Sequence, residues 1–259
     1  MFTKEQLKNQ LKNMGIIPSD TVLIHTAFKS VGEVEGGIDG FIDAFKEYLK
    51  DGLFIIPTHT WENVNRENPV FDVSVTTPCI GAVPTVAAFR KDGIRSLHPT
   101  HSVWAVGKGA EDFIKGEELA KTPAPVGGAW CRLSDLNAKI LLIGLGHNRN
   151  TFIHAIDEMA SLDDRLTKNP WQVTVIDYNK NKITHSFRNH ENTGSENFGN
   201  FEKMFIKKGV QKEGTLGNAP VKICDAKKCT QLLLALYEKV KENLCLEKGD
   251  IPEALYKDL

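Results

Sequence analysis

The chain has 259 residues, of which 32 are lysine or arginine and 33 are aspartate or glutamate, so its formal net charge is −1. This balance gives no electrostatic reason to expect a nucleic acid or an anionic membrane as a partner. No apolar run approaches the roughly 18 residues of a membrane-spanning helix, and the polar N-terminal sequence is unlike a signal peptide. We therefore expect a cytoplasmic protein with one domain over residues 1–259, as a monomer or a homodimer.

Segments typical of strands and of helices alternate along the first 146 residues. The N-terminal stretch has the pattern of an amphipathic helix that ends near Gly15, and Asp39 is the candidate N-cap of the next helix. The alternation predicts an α/β fold, a layered α/β/α sandwich around a central mixed, partly parallel sheet. Buried strands are predicted at residues 21–27, 52–59, 101–107 and 138–146, and helices at 37–50 and 85–92.

The remainder of the sequence has a different texture. Residues 171–187 alternate with a period of two and are typical of a hairpin around Asn179–Asn181. Residues 221–244 have the pattern of a strand that leads into a long amphipathic helix. Residues 62–81 show little periodicity and are predicted to form a long loop. A small β-rich addition is therefore expected in the last third of the chain.

The sequence GLGHNRNTFIHAIDEM, residues 144–159, follows a predicted buried strand and places an unusual set of polar residues on one side of a predicted helix. That side has no lysine, arginine or glutamine over three turns. Asp157 follows His154 by three residues and Glu158 by four, so either carboxylate can orient the imidazole. The pattern alone leaves both a functional site and an ordinary solvated face open. The polar side holds His147, Asn150, Thr151, His154, Asp157 and Glu158.

A second group of polar residues lies in LHPTHS, residues 97–102. Pro99 keeps the chain extended between His98 and His101. This spacing is a weak signal for a metal site without a helix and further ligands, so we expect no metal cofactor. Ser102 is a candidate hydroxyl donor. Hydrogen-bonded structural histidines are the alternative interpretation.

A glycine-rich segment, HTAFKSVGEVEGG, runs from the end of the first predicted strand toward the next helix. Its backbone N–H groups are of the kind that binds the phosphates of a nucleotide-like cofactor. The segment matches neither the P-loop nor the dinucleotide-binding motif. A simple turn that needs positive φ is the alternative explanation for its glycines.

Taken in order, five segments resemble the aminoglycoside 3-N-acetyltransferase family. The resemblance runs from about residue 20 to 165, and more loosely through GTLGNAPVKICDAKK near the C-terminus. The R-S-x-H-P-x-H-S and G-x-G-H-x-x-N-T-x-x-H blocks are each specific, and both occur here at a fixed order and separation. The segments are HTAFKSVGEVEGG, LFIIPTHT, TTPCIGAVP, RSLHPTHSVWAVGKGAEDF and KILLIGLGHNRNTFIHAIDE.

The resemblance implies transfer of an acetyl group from acetyl-CoA, the co-substrate, to an amine, most typically the 3-amino group of a 2-deoxystreptamine antibiotic. It implies a catalytic histidine at His154 with a carboxylate three residues on, and an active site lined by the histidine–proline block. Asp157 stands where the family commonly has glutamate, which leaves the choice between Asp157 and Glu158 open. Lys29 and Ala27 stand where serine is frequent, and Lys29 adds a cation that can meet a CoA phosphate.

The resemblance also implies that the end of the first strand and the glycine-rich turn lie against the pantetheine and phosphates of CoA. The residues predicted to bind the co-substrate are His25, Thr26, Ala27, Phe28, Lys29, Ser30, Val31 and Gly32.

For such a reaction we predict that His154 takes the proton from the attacking amine, because an imidazole has an ordinary pKa of about 6.5. Asp157 or Glu158 holds the ring. Ser102, Thr151 or backbone N–H groups bind the thioester oxygen as it becomes negative, and the acetyl group moves directly without an acyl-enzyme.

The acceptor side is the least defined part of the predicted site. Residues 187–202 are the candidate wall for the acceptor, with a solvated loop as the alternative. Acidic side chains suit a polycationic acceptor, and Glu33, Glu35 and Glu196 are candidates beside the two carboxylates on the helix. The predicted acceptor contacts are His98, His101, His147, Asn150, Thr151, His190 and Glu191.

Other functions compete with this interpretation. Acyl transfer through Cys79 or Cys131 needs a thiol with a lowered pKa, although five scattered cysteines without a C-x-x-C pair are more typical of buried, reduced thiols. The acceptor of a CoA-dependent transferase can also be a non-antibiotic amine. A metal-dependent hydrolase and a non-catalytic CoA- or amine-binding protein are the remaining alternatives.

Overall fold

The computed structural model describes residues 1–162, 165–240 and 244–259. Ten β-strands lie in these ranges and form two sheets. The strands are β1 (Thr21–Thr26), β2 (Leu53–Pro57), β3 (Val70–Asp72), β4 (Ile94–Arg95), β5 (Val103–Gly107), β6 (Lys139–Ile143), β7 (Trp171–Ile176), β8 (Lys182–Phe187), β9 (Gln211–Leu216) and β10 (Ala219–Asp225).

The larger sheet has seven strands in the order β4-β5-β2-β1-β6-β10-β9. Its three central strands are parallel, because β1 pairs in the same direction with β2 on one side and with β6 on the other. The flanking strands β5 and β10 are antiparallel to their central neighbours. The predicted mixed, partly parallel sheet is confirmed. Because β1, β2 and β6 are parallel, their carboxyl ends at Thr26, Pro57 and Ile143 meet at one edge of the sheet.

Helices cover both faces of this sheet. They are α1 (Lys4–Asn13), α2 (Phe28–Val31), α3 (Gly37–Tyr48), α4 (Ala82–Phe89), α5 (Ala110–Ile114), α6 (Ala129–Asp135), α7 (Phe152–Met159), α8 (Glu202–Lys207), α9 (Ala226–Lys239) and α10 (Glu253–Tyr256). Short 3₁₀ turns lie at Glu117–Leu119, His147–Arg149 and Ser195–Phe201. Within the described ranges, no helix is both long enough and apolar enough to cross a membrane.

Alternate residues of the central strands fill two separate apolar cores. On β6, Ile140 and Leu142 face the core shared with α6, α7 and α9, whereas Leu141 and Ile143 face the core shared with α1, α3 and α4. This is the side-chain period of two expected for a strand that is buried on both faces. The chain therefore forms the predicted α/β/α sandwich.

The smaller sheet has three strands in the order β3-β7-β8. The predicted hairpin is confirmed, since β7 and β8 pair antiparallel across a turn at residues 177–181. The prediction of a continuous loop at 62–81 is wrong at one place, because β3 pairs parallel with β7. Three residues are too few to show a period, and the partner strand lies about 100 positions away, so local sequence carries no signal for this pairing.

Two predicted helices have different ends in the structure. Helix α3 starts at Gly37 after Gly36, a left-handed N-cap residue with φ 74°, and Asp39 does not cap it. The Asp39 carboxylate instead lies 2.6 Å from the Arg90 guanidinium. Helix α4 covers Ala82–Phe89 and not 85–92. Helix α9 ends at Lys239, and residues 241–243 of its predicted extent lie outside the described residues.

Candidate active site

A cavity of about 620 Å³ opens at the carboxyl edge of the three parallel strands. Ligands of open α/β sheets bind at this edge, because the loops that leave the strands there enclose a crevice. The loop after β1 brings His25 and Thr26, and the loop after β2 brings His59. The segment after β6 brings residues 148–151 and then His154. The cavity is therefore the place where the two histidine blocks of the sequence meet.

The sequence predicted one continuous helix after β6, and this prediction is wrong. A 3₁₀ turn at His147–Arg149 precedes α7, which begins at Phe152. As a result His147 points into the protein, where its Nε2 donates to Gln211 Oε1 at 2.6 Å and its Nδ1 accepts from Asn150 Nδ2 at 3.3 Å. His147 does not line the cavity, whereas Asn150 and Thr151 do. The predicted single polar face is thus split between core and cavity.

His154 lies on the cavity side of α7 with its carboxylate neighbour behind it. His154 Nδ1 is 4.0 Å from Asp157 Oδ2. The Asp157 carboxylate is buried and accepts hydrogen bonds from Tyr237 Oη at 2.8 Å and from Arg165 Nη1 at 3.5 Å. The distance to the ring is too long for a hydrogen bond.

Burial lowers the pKa of His154 well below its ordinary value, and the nearby His190 and Arg165 lower it further. The ring is therefore neutral near pH 7. Its Nδ1 has no hydrogen-bond partner among the described residues. That atom is buried and faces Asp157. A neutral imidazole on the cavity side of α7 can accept a proton, which is what a general base needs.

Glu158 pairs with a different histidine, His190. Its Oε1 lies 3.1 Å from His190 Nε2 and accepts from the backbone N–H of Ala124 at 2.8 Å, while Oε2 accepts from the Thr122 hydroxyl. The rings of His190 and His154 are 4.3 Å apart between centroids. The structure therefore places two histidine–carboxylate pairs side by side, with Asp157 beside His154 and Glu158 beside His190.

Another part of the cavity lining is formed by His59 and His101, whose ring centroids are 4.6 Å apart. Trp130 on α6 packs its ring against His59 and donates its indole N–H to the His101 carbonyl at 3.0 Å. His98 does not line the cavity. Its Nδ1 accepts from the backbone N–H of His101 at 2.9 Å and its Nε2 donates to Thr122 O at 3.0 Å, so it holds the turn that presents His101.

Ser102 is buried and outside the cavity lining. Its hydroxyl donates to the Thr58 carbonyl at 2.8 Å and accepts from Arg95 Nε at 3.3 Å. The same buried guanidinium donates to the carbonyls of Thr58 at 3.2 Å and Thr76 at 2.7 Å. The structure thus places Ser102 in a hydrogen-bond network that fixes the loop after β2, outside the cavity lining.

The predicted CoA-binding loop only partly reaches the cavity. His25 and Thr26 line it, whereas residues 27–32 lie beside it as the short helix α2 and its flanks. The loop packs on the segment after β6, since Ala27 N–H donates to Ile143 O at 2.9 Å. Gly144 has φ 66°, and a Cβ there would lie 2.0 Å from Ser30 Oγ, so this close approach of the two loops requires glycine.

Four acidic residues predicted for the acceptor side do not line the cavity. They are Glu33, Glu35, Glu191 and Glu196. His190 and, from the same segment, Asn189, Thr193, Ser195 and Phe198 do line it. The segment 187–202 therefore forms part of the cavity wall. It does so through polar and aromatic side chains and not through its glutamates.

Cavity residues that were missed from the sequence include His59, Trp61, Glu62 and Arg149. Trp61 and Glu62 are exposed at the mouth. A signal was available for three of them, because THTWE follows the predicted strand at the edge where parallel strands present their ligands. Glu62 and Arg149 are the two charged side chains, histidines aside, among the described residues that line the cavity.

We expect the folded state to lose stability as the pH falls below about 6.5, the ordinary pKa of histidine. Burial lowers the pKa of His25, His98 and His190 to about 3. Between the two values the unfolded state binds more protons than the folded state, so the free energy of unfolding falls with falling pH. Each such group contributes a slope of up to about 1.4 kcal/mol per pH unit. Urea unfolding across this range measures the slope, and a flat profile would contradict a neutral buried cluster.

With the site described, its relatives can be compared. The model of a family described as aminoglycoside 3-N-acetyltransferase matches residues 23–238. The chain belongs to this family. Members of the family are acetyl-CoA-dependent N-acetyltransferases, and the chain is an enzyme of this kind.

Individual relatives agree with the family match over most of their length. Aminoglycoside N(3)-acetyltransferase IV of Salmonella sp. is 29% identical over 219 residues, which are 84% of this chain and 80% of that protein. Aminoglycoside N(3)-acetyltransferase III of Serratia marcescens is 24% identical over 255 residues, which are 87% of this chain and 93% of that protein.

Solved structures share the fold. A mutant of aminoglycoside acetyltransferase AAC(3)-IVa in complex with a gentamicin has a TM-score of 0.80 at 25% identity, over 98% of this chain and 93% of that one. AAC-IIIb in a binary complex with CoASH has a TM-score of 0.80 at 20% identity, over 92% of this chain and 97% of that one. The second likeness shows the fold alone.

Proposed function

We propose that the protein transfers the acetyl group of acetyl-CoA to the 3-amino group of a 2-deoxystreptamine aminoglycoside, with His154 as the general base. One observation carries this proposal: a neutral His154 lies beside the buried Asp157 carboxylate, inside a cavity at the ligand-binding edge of the sheet. The names of the relatives support the two substrates, since a gentamicin and CoASH are bound in two structures with this fold.

The chemistry begins with an amine that is mostly protonated in solution and cannot attack a thioester in that form. The amine gives up its extra proton to solvent on binding. As the neutral nitrogen then bonds to the thioester carbon, His154 takes one of its two remaining protons and becomes imidazolium. Asp157 stabilises this cation, because its carboxylate lies 4.0 Å from the ring and is held by Tyr237 and Arg165. The C–S bond then breaks, and the CoA thiolate leaves and takes that proton from the imidazolium, which restores neutral His154.

The thioester oxygen becomes negative in the transition state and needs hydrogen-bond donors. Thr151 is the hydroxyl best placed for this role in the proposal, because it lines the cavity one turn before His154. Ser102 is assigned no such role, since its hydroxyl already donates to Thr58 O outside the cavity.

An acceptor with several ammonium groups needs a negative partner at the mouth of the cavity. Glu62 supplies a carboxylate there, and the exposed face of Trp61 beside it adds a surface for a cationic ring. Because both residues are exposed in the loop after β2, they are placed to meet the acceptor first.

The acceptor class is tested by a thiol-release assay with acetyl-CoA across aminoglycosides and simple polyamines. We expect turnover with 2-deoxystreptamine compounds such as gentamicin. Turnover with polyamines alone would move the proposal to a non-antibiotic amine, and release of no thiol with any amine would remove the transferase proposal altogether.

We expect the double variant Cys79→Ala, Cys131→Ala to keep its activity within about threefold, whereas loss of a true nucleophile costs orders of magnitude. Burial raises the pKa of the Cys131 thiol to about 12, and Cys131 does not line the cavity. Cys79 lines it, but burial raises the pKa of its thiol too, and its Sγ donates to His59 O at 3.3 Å. Intact-mass measurement after acetyl-CoA alone should show no acetyl-enzyme. A stable acetyl adduct together with an inactive double variant would favour the cysteine route.

A further inference from the structure

We propose that Arg149 binds a phosphate group of acetyl-CoA, so that the charges of the cavity decide which of its ends takes the co-substrate and which takes the acceptor. The inference rests on the proposed function and goes beyond it by assigning the two ends. Arg149 lines the cavity and is exposed at its edge, in the 3₁₀ turn that follows β6.

The two charged lining residues come from opposite sides of the central strand. Glu62 follows β2 and Arg149 follows β6, and β1 lies between these strands. Neighbouring strands are about 4.8 Å apart, so the two loops start about 10 Å apart across the sheet. The histidine rings of the lining are neutral near pH 7, because burial lowers the pKa of each. The negative and the positive lining residue therefore enter the cavity from opposite sides of β1.

A second cation lies after the neighbouring strand. Lys29 is in α2, outside the cavity lining, and Ala27 just before α2 donates its backbone N–H to Ile143 O at the end of β6, the strand that leads to Arg149. Neither Lys29 nor Arg149 forms an ion pair with any residue in the described part of the chain. Two cations without a protein partner on adjacent loops repel an acceptor with several ammonium groups and attract an anion.

Of the two substrates, acetyl-CoA alone carries phosphates. A guanidinium donates two parallel hydrogen bonds to a phosphate, which makes arginine the stronger and more directional of the two cations. The assignment therefore brings the nucleotide end of acetyl-CoA to Arg149 and leaves the Glu62 end for the ammonium groups of the acceptor. The thioester then lies between them, under the histidine rings.

The test compares acetyl-CoA with S-acetylpantetheine, a shorter thioester that lacks the pyrophosphate and the 3′-phosphate. The variant Arg149→Gln keeps the polar side chain and removes the charge. We expect kcat/KM for acetyl-CoA to fall about tenfold through KM, the equivalent of one charge-assisted hydrogen bond, with no matching fall for S-acetylpantetheine. The matched variant Glu62→Gln should raise KM for the aminoglycoside and leave the ratio between the two thioesters as in the wild type.

An equal fall for both thioesters, or no change for either, would overturn the role of Arg149. Failure of the proposed function is a different result, because the wild type would then transfer no acetyl group to any amine. In that case calorimetric titration with CoA and with pantetheine still tests the inference. The wild type should bind CoA more tightly than Arg149→Gln does, and equal affinities would reject the phosphate contact.

Discussion

Replacing His154 with alanine is expected to lower kcat roughly 100- to 10,000-fold, which is the usual contribution of a general base to the rate. The expectation follows from its position and charge, because His154 lines the cavity and burial keeps its ring neutral near pH 7. The measurement is steady-state acetylation of a good aminoglycoside substrate. Binding should change little, so KM for acetyl-CoA serves as a check that the cavity is intact.

His190→Ala is the matched control for this prediction. His190 lies in the same cavity, 4.3 Å from the His154 ring, and has its own carboxylate partner in Glu158 at 3.1 Å. If His154 is the base, the His190 variant loses less activity than the His154 variant. A His154→Ala enzyme with near wild-type kcat, together with an inactive His190→Ala enzyme, would move the base to the second pair.

Replacing Asp157 with asparagine is the second change with a large expected effect. Its carboxylate is 4.0 Å from His154 and stabilises the imidazolium that forms during the reaction. Without the negative charge of Asp157, the pKa of His154 in the substrate complex falls further. The positive charge that develops on the imidazole in the transition state is then less stabilised. We expect kcat to fall about 100-fold or more, and the acid limb of the pH profile to move to lower pH.

Stability has to be measured alongside, because Asp157 is also tied to Arg165 and Tyr237 in the core. The Tm of Asp157→Asn should fall, since breaking a buried charge pair is strongly destabilising, and kinetics are therefore taken well below that Tm. Glu158→Gln is the matched variant, one residue along the same helix. It should affect His190 and leave the acid limb of the profile in place. A shift of that limb in Glu158→Gln and not in Asp157→Asn would exchange the two roles.

The fold was largely predictable because its signals are local. The buried strands β1, β2 and β6 are continuous apolar runs, and the alternation of strands with helices between them is typical of an α/β sheet. β3 escaped prediction, since its pairing with β7 joins distant segments. The cap of α3 was assigned to Asp39 because aspartate is a frequent N-cap, but Gly36 in a left-handed conformation starts the helix and Arg90 takes the carboxylate.

Several residues that line the cavity could be predicted from the sequence, but their arrangement could not. The separation of His147 from the cavity depends on a 3₁₀ turn in place of an α-helical one, which a helical projection of the sequence does not show. The pairing of Glu158 with His190 joins positions 32 residues apart. Glu62 and Arg149 became apparent only when the loops were placed around one cavity. Residue types thus indicated the reaction, while long-range packing decided which groups meet.

The most direct test of the whole account is the position of the new acetyl group. The purified enzyme is incubated with acetyl-CoA and gentamicin, and the product is examined by mass spectrometry and two-dimensional NMR. The account predicts a single acetyl group on the 3-amino nitrogen of the 2-deoxystreptamine ring, formed by the wild type and lost in His154→Ala. An acetyl group on another nitrogen, or an equal rate of 3-N-acetylation by His154→Ala, would contradict it.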